Sequence, residues 1–165
     1  MRALVTGGCG FIGTNLIKRL SNNNHKEYCE NIVVSIDDYS TGSGDNEIEC
    51  NGVQYFGGDI SKVTDYSNII DDCDIIFHLA AKARIQPSLR NPKPALETNV
   101  MGTLNILEWA RNNKIQVVYA GSSTRHHGIH KSPYAWSKYG GEQLCELYSK
   151  VYDLNTCICR FYNVY

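Results

Sequence analysis

The strongest constraint on the fold is a glycine-rich segment near the start of the chain, LVTGGCGFIGTNL at residues 4–16. Gly7, Gly10 and Gly13 stand at three-residue intervals directly after a short apolar run. A strand that turns sharply into a helix needs residues without a Cβ, because they let the backbone approach a ligand and let the helix pack closely. The helix N-terminus then presents free N–H groups and the positive end of its dipole. The segment therefore predicts a strand–turn–helix unit that cradles a pyrophosphate.

An acidic residue supports this interpretation. The second apolar run, IVVSID, ends in Asp37, which lies 24 residues after Gly13. A carboxylate at the end of the second strand accepts hydrogen bonds from an adenosine ribose and repels a 2′-phosphate. The turn and the acid together predict dinucleotide binding and favour NAD over NADP.

Apolar, β-rich runs alternate with helical stretches along the rest of the chain. Strands are predicted at residues 2–6, 32–37, 53–56, 74–80, 116–122 and 156–161, and helices at residues 11–21, 64–71, 94–112 and 134–152. The strand runs are continuous rather than alternating, which is typical of parallel strands covered on both faces. The pattern predicts an α/β fold with a doubly wound parallel sheet, the NAD-binding Rossmann fold, as one domain over residues 1–165.

Composition excludes several classes of partner. The formal net charge is -1, from 16 Lys and Arg against 17 Asp and Glu, so there is no excess of positive charge for nucleic acid or an anionic membrane. Glycines interrupt the apolar stretch after Val5, so neither a signal peptide nor a membrane span is predicted. The seven cysteines are odd in number, scattered and without a CxxC pair, which favours reduced thiols and a cytoplasmic location.

A second motif, SPYAWSK, places Tyr134 and Lys138 four residues apart on one face of a predicted helix. An ammonium group near a phenol favours the phenolate, which is a general base. Ser122, Ser123 and Thr124 lie at the carboxyl end of the fifth strand, where doubly wound sheets bind ligands. A YxxxK spacing alone is typical of a solvated helix face, but with the hydroxyl cluster and the dinucleotide turn it indicates catalysis.

The segments TGGCGFIG, DDYSTG, GGDI, HLAA, TNVMGT, GSST, YAWSK and RFYNVY follow one another in the order of a known family. Over essentially all 165 residues the chain resembles the extended short-chain dehydrogenase/reductase family, in particular its NAD-dependent nucleotide-sugar epimerases and dehydratases of the UDP-glucose 4-epimerase type. The resemblance implies epimerisation of a UDP-linked sugar through a transient keto-sugar. It also implies a homodimer, formed by the helices that carry Asn99 and Tyr134 with an apolar strip of Leu144, Leu147 and Val151.

The resemblance implies roles for individual residues. Thr124, Tyr134 and Lys138 would be catalytic, and Arg84, Ser123, Thr124 and Asn163 would bind the substrate. The cofactor would contact Gly7, Gly10, Phe11, Ile12, Gly13, Asp37, Asp38, Ser40, Thr41, Gly42, Asp59, Ile60, Leu79, Ala80, Ala81, Asn99, Tyr134, Lys138 and Tyr162. Tyr134 would take a sugar hydroxyl proton while hydride passes to NAD, and the hydride would return to the other face of the ketone.

The chain also departs from the family pattern. The family usually has Val-Tyr-Gly after the hydroxyl cluster, where this chain has Arg125, His126, His127 and Gly128. No cysteine or carboxylate completes a ligand set with these histidines and His130, so no metal site is expected. Members that dehydrate or decarboxylate carry an acid where this chain has Arg125, which makes those reactions less favoured.

Family members continue well beyond RFYNVY, and most of their substrate lobe follows it. We therefore expect that lobe to be largely missing, whether the chain is a fragment or a natural truncation, and we expect residues 1–165 alone to epimerise poorly. A related NAD-dependent dehydratase or reductase and a non-catalytic dinucleotide-binding module remain as alternatives. An epimerase leaves NAD unchanged overall, so turnover without added NADH would distinguish it from a reductase.

Overall fold

The computed structural model describes residues 1–21, 31–62 and 73–165. Its strands form one parallel sheet and are β1 (Arg2–Thr6), β2 (Ile32–Asp37), β3 (Val53–Gly57), β4 (Ile75–His78), β5 (Gln116–Ser122) and β6 (Thr156–Phe161). The strand order is β3-β2-β1-β4-β5-β6, which confirms the predicted doubly wound sheet. The order reverses between β1 and β4, so the loops after these neighbouring strands diverge and leave a crevice at their carboxyl ends.

The helices pack on the two faces of the sheet. They are α1 (Phe11–Ser21), α2 (Ile85–Arg90), α3 (Pro92–Leu96), α4 (Thr103–Asn113), α5 (Thr124–His127) and α6 (Pro133–Tyr152), with a π-helical segment at Glu97–Gly102 and single 3₁₀ turns at Gly44–Asn46 and Ile129–Lys131. Lys114 and Asp153 adopt left-handed backbone conformations that end α4 and α6.

Alternating side chains of the strands divide the core into two layers. Leu4 of β1 belongs to the layer that α4 and α6 cover, together with Ile106 and Tyr148 of those helices. Val5 points to the opposite face and packs with Ile17 of α1. Residues on both sides of the same strand are thus buried, which explains why the strand sequences are continuous apolar runs.

Several predicted boundaries were wrong. The helix expected at 94–112 begins at Pro92, where proline is favoured in a first turn, and the π-helical segment interrupts it. The strand expected at 74–80 ends at His78, because the chain turns into the crevice after it. The predicted helix at 64–71 lies outside the described residues. The short helices α2 and α5 were not predicted, since six and four residues carry little periodic signal.

In the part of the chain that the structure describes, no helix combines the length and apolar character needed to span a membrane.

Candidate active site

The glycine turn leads from β1 into α1 and has no room for side chains at two of the three predicted positions. Gly7 has a φ of +74°, and a Cβ there would lie 2.8 Å from the backbone of Ala80. A Cβ on Gly13 would collide with the Gly7 carbonyl oxygen, so the start of α1 rests on the turn. Gly8, which the sequence reasoning missed, is equally confined, because a Cβ there would collide with Ser35 Oγ. The turn therefore keeps bare backbone at the head of an eleven-residue helix.

Asp37, at the end of β2, is buried and holds the turn in place. Its Oδ2 accepts a hydrogen bond from the backbone N–H of Cys9 at 2.9 Å, and its Oδ1 accepts one from Tyr39 at 2.9 Å. A carboxylate oxygen can accept two hydrogen bonds, so each Asp37 oxygen can still accept one from a ribose hydroxyl. Gly42 completes this corner, because a Cβ there would lie 2.6 Å from the Cys9 carbonyl oxygen.

Two further acids lie beside Asp37. Asp38 Oδ2 is 2.8 Å from the Lys82 ammonium, and Asp59 Oδ1 accepts hydrogen bonds from the backbone and hydroxyl of Ser61 at 2.9 and 2.7 Å. Burial opposes the ionisation of both carboxyls. The hydrogen bonds from Lys82 and Ser40 to Asp38, and from Ser61 to Asp59, outweigh burial and lower the pKa of each carboxyl.

These residues line one cleft of about 270 Å³ at the carboxyl ends of β1, β2 and β4. The predicted cofactor residues in its lining are Gly7, Gly10, Phe11, Ile12, Gly13, Asp37, Asp38, Ser40, Thr41, Asp59, Ile60, Leu79, Ala80 and Ala81. Gly58, Lys82, Ala83 and Thr98 also line it and were not predicted. Lys82 directly follows the HLAA segment, but no sequence pattern shows that its side chain lines the cleft.

Asn99 is buried in the π-helical segment rather than in the cleft lining. Its Oδ1 accepts a hydrogen bond from the backbone N–H of Lys82 at 2.8 Å, and its Nδ2 donates to Ser137 Oγ at 2.9 Å. Ser137 Oγ in turn donates to the Tyr134 carbonyl oxygen at 2.8 Å. Asn99 thereby ties the loop after β4 to the helix that carries Tyr134.

The buried His78 stabilises the same region. Thr103 Oγ1 donates to the Asn99 carbonyl oxygen at 2.7 Å, so its oxygen accepts from His78 Nε2 at 2.9 Å. His78 Nδ1 is left to accept from Thr6 Oγ1 at 2.7 Å, and this assigns the Nε2–H tautomer. Burial, with a smaller contribution from the Lys138 charge, lowers the pKa of His78 to about 3, so the ring is neutral.

Tyr134 and Lys138 both lie on α6, near its N-terminus. Tyr134 is half-buried, and its backbone N–H donates to Ser88 Oγ at 3.2 Å. Lys138 is buried, and its Nζ lies 4.4 Å from the centroid of the Tyr119 ring. Burial lowers the pKa of the Lys138 ammonium to about 8, against smaller raising effects of Cys145 and Glu142.

The hydroxyl cluster lies at the end of β5. Thr124 Oγ1 donates to Ser122 Oγ at 3.0 Å, and the Ser123 backbone N–H donates to the Phe161 carbonyl oxygen at 3.0 Å. Among the other predicted residues, Tyr162 is 64% exposed, and Arg84 and Asn163 are also exposed. The hydroxyl cluster is therefore held by hydrogen bonds at the end of β5, whereas Arg84, Tyr162 and Asn163 lie at the surface.

Arg125 lies in the short helix α5, which the sequence pattern did not predict. Its Nη1 is 2.8 Å from the buried Glu142 carboxylate, which also accepts hydrogen bonds from Arg160 Nε at 3.0 and 3.1 Å. Burial opposes the charge on Glu142, but the two arginines lower the pKa of its carboxyl. His126, His127 and His130 lie at the surface, and within the described ranges no group of three or more His, Cys, Asp or Glu side chains could hold a metal ion.

This arrangement defines the class of protein. The cleft fits a dinucleotide. Its backbone leaves no room for a Cβ at Gly7 and Gly13, a carboxylate lies beside it, and a helix N-terminus lies behind it. The chain is a dinucleotide-binding domain of the Rossmann type. More particularly, it belongs to the NAD dependent epimerase/dehydratase family, whose model matches residues 3–165, and this confirms NAD as the cofactor.

Known proteins of two activities are similar to the chain. The putative UDP-glucose 4-epimerase of Methanocaldococcus jannaschii is 33% identical over 98% of this chain and 55% of its own length. A dTDP-glucose 4,6-dehydratase of Mycobacterium tuberculosis is 28% identical over the whole chain and 54% of its own length. The chain thus spans about half the length of these relatives.

Solved structures agree with this family membership. The UDP-N-acetylglucosamine 4-epimerase of Methanobrevibacter ruminantium, in complex with UDP-N-acetylmuramic acid, has a TM-score of 0.88 and 27% identity over 99% of this chain and 55% of that protein. The Bordetella bronchiseptica enzyme WbmF, in complex with NAD+ and UDP, has a TM-score of 0.84 and 29% identity over 99% of this chain and 49% of its own.

Proposed function

We propose that the chain carries the cofactor-binding and catalytic residues of an NAD-dependent nucleotide-sugar epimerase of the UDP-sugar 4-epimerase type. The supporting geometry is that Thr124 follows β5 directly, and that Tyr134 and Lys138 lie on one helix, α6, which packs against the same strand. Two relatives with UDP-sugar epimerase names support the choice of substrate class.

The presence of an arginine at position 125 favours epimerisation over dehydration. In the family that the sequence resembles, members that dehydrate carry an acid at this position, directly after the hydroxyl residue. Here the position is occupied by an arginine, and the structure turns it towards Glu142 and Glu146, at 2.8 and 3.5 Å. A general acid for expelling water is therefore lacking at this position. A dehydratase is the second candidate, because a dTDP-glucose dehydratase is nearly as similar to the chain as the epimerases are.

The proposed mechanism assigns one task to each residue. When bound, NAD supplies a reversible hydride acceptor. Tyr134, as the phenolate, takes the proton of the sugar hydroxyl and gives it back to the ketone oxygen in the return step, so no net proton is consumed. The Thr124 hydroxyl, which donates to Ser122 Oγ in the structure, turns to donate its hydrogen bond to the reacting oxygen when substrate binds. The cationic Lys138 stabilises the phenolate charge and holds the nicotinamide ribose.

Substrate binding is proposed to use the half-buried Ser123 and the exposed Arg84 and Asn163, with Tyr162 against the nicotinamide. We also propose that the nucleotide is gripped mainly by the additional length that the relatives have. Remote contacts of this kind position the reacting carbon, so their loss lowers the rate as well as the affinity. Residues 1–165 alone should then bind NAD but turn over sugars poorly.

Assembly and location are further parts of the proposal. On α6, Leu147 is 49% and Val151 59% exposed, and Leu144 is half-buried against the core. Such a strip suits a helical interface with a second copy. A cytoplasmic location is proposed because Cys9, Cys145, Cys157 and Cys159 form no disulfide.

A fusion of residues 1–165 to the carboxyl-terminal part of the Methanocaldococcus jannaschii relative tests the function. The fusion should interconvert UDP-glucose and UDP-galactose, or their N-acetyl forms, without added NADH. Tyr134→Phe should lower the rate at least ~100-fold, because the ring stays while the proton acceptor is lost. Tyr152→Phe, on the same helix but at the surface, is the matched control and should leave the rate unchanged.

Three outcomes would contradict the proposal. A dehydrated keto-sugar would identify the dehydratase instead. NAD binding without any sugar turnover in the fusion would favour a non-catalytic module, and unchanged activity of Tyr134→Phe would show that the base is another residue.

A further inference from the structure

The charged side chains in the lining of the described cleft are unbalanced. Three carboxylates, those of Asp37, Asp38 and Asp59, face one ammonium group, that of Lys82. A dinucleotide brings two more negative charges in its diphosphate. Like charges at short range disfavour one another, most strongly where water is partly excluded. Backbone N–H groups offset part of this repulsion, but within the described lining Lys82 is the one cation that could neutralise the diphosphate.

The fold positions the Lys82 ammonium near the end of β1, where the glycine turn begins. Asp38 and Ser40 follow β2, Lys82 follows β4, and β1 lies between these two strands in the sheet. Lys82 Nζ is 2.8 Å from Asp38 Oδ2 and also hydrogen-bonds to Ser40 Oγ. A side chain that spans from the loop after β4 to the loop after β2 passes over the end of β1, where the glycine turn begins.

The backbone of Lys82 is fixed while its ammonium group stays accessible. Its N–H donates to Asn99 Oδ1 at 2.8 Å, and its carbonyl oxygen accepts from Asn99 Nδ2 at 3.3 Å. The side chain is 26% exposed, so a ligand can replace part of the contact with Asp38 without unfolding the loop.

We propose that Lys82 is a cofactor-binding residue whose ammonium is the counter-charge of the NAD diphosphate, and that Asp38 and Ser40 hold it over the glycine turn until the cofactor binds. A flexible ammonium pairs with phosphate as a point charge, so it can exchange a carboxylate for a phosphate without a change of backbone. The inference rests on the NAD assignment and not on the proposed sugar chemistry.

Binding of adenosine, ADP and NAD to residues 1–165, measured by isothermal titration calorimetry, tests the assignment. The informative quantity is the ratio of ADP affinity to adenosine affinity, because it isolates the diphosphate. Lys82→Gln should lower this ratio about tenfold, as expected for one charge-assisted contact, and should lower NAD affinity in parallel. Lys82→Arg should restore most of both. Adenosine affinity should stay within about twofold of the unmodified chain, since it carries no phosphate.

Two variants separate this role from a general charge effect and from a structural one. Lys62 pairs with Asp59 at 3.6 Å, its side chain is 81% exposed and it does not line the cleft, so Lys62→Gln should leave the ratio unchanged. Asp38→Asn should keep or raise the ratio, because it releases Lys82 and removes a like charge. A ratio unchanged by Lys82→Gln, an equal effect of Lys62→Gln, or a fall in Asp38→Asn would each overturn the assignment. None of these outcomes depends on sugar turnover, so they leave the proposed epimerase function to its own test.

Discussion

At the scale of single residues, His78 shows how burial decides the state of an ionisable group. Its ring lies between the hydroxyls of Thr6 and Thr103, and both ring nitrogens are used. Protonation would place a second donor against Thr6, whose oxygen already accepts from the Ala80 N–H at 3.2 Å. A neutral ring suits all of these hydrogen bonds, so the folded state disfavours the charged histidine.

The lowered pKa of His78 makes the stability of the fold depend on pH. The pKa of His78 is about 3 in the folded chain against 6.5 for the ordinary group, so between these values only the unfolded chain binds the proton. The contribution of His78 to the free energy of unfolding therefore falls as the pH is lowered from 6.5 towards 3, by about 1.4 kcal/mol per pH unit within the window.

Urea unfolding between pH 6.5 and 5 measures this effect before most carboxylates titrate. His78→Gln should be less stable at neutral pH but should lose less stability than the unmodified chain across that interval. His126→Gln, at an exposed histidine, should keep the original slope. The same slope in all three proteins would show that His78 is not the titrating group.

At the scale of elements, the site depends on how helices begin. Ser132 precedes α6, and its Oγ accepts a hydrogen bond from the Ala135 N–H at 3.1 Å while Pro133 takes the first helical position. This cap is buried and lies in the turns just before Lys138. The start of α6, and with it the position of Tyr134, is set by a local hydrogen bond that the serine-proline sequence encodes.

Replacing Ser132 by Ala should lower the free energy of unfolding by about 1 kcal/mol, because an N–H of the first turn loses its partner. Ser132→Thr should recover most of the loss. Ser43, which caps the exposed single turn Gly44–Asn46, provides the control, and Ser43→Ala should change stability by less than about 0.5 kcal/mol. Chemical denaturation at pH 7 compares the three. Equal losses for Ser132→Ala and Ser43→Ala would mean that the cap contributes nothing specific to α6.

At the scale of the whole molecule, the helices within residues 1–21, 31–62 and 73–165 cover the sheet unevenly. α4 and α6 pack over one face and meet β5 there, while α1 packs on the other face near β1 and β2. Beside α1, the apolar side chains of Phe77, Val118 and Phe161 line an open cavity of about 530 Å³. The outer surface of α6 adds the strip of Leu144, Leu147 and Val151, for which a second copy is the proposed partner.

Sedimentation at micromolar concentration checks that assembly. The unmodified chain should sediment as a dimer, and Leu147→Lys should shift it to monomer because a charge would be buried in the apolar interface. Leu89 is 51% exposed on α2, away from the strip, so Leu89→Lys should leave the dimer intact. A monomer in the unmodified chain, or dissociation by both variants alike, would contradict the proposed interface.

Local chemistry allowed the sequence alone to predict the sheet, the glycine turn and the acid of the second strand. Strands buried on both faces need continuous apolar runs, and a turn without space for Cβ atoms needs glycine wherever it occurs. The contacts of Asp38 with Lys82, of Thr6 with His78 and of Arg125 with Glu142 join residues 44, 72 and 17 positions apart. Only the tertiary structure decided these pairs, because the strand order brings the ends of β1, β2, β4 and β5 to one edge, and no local pattern records which side chains meet there.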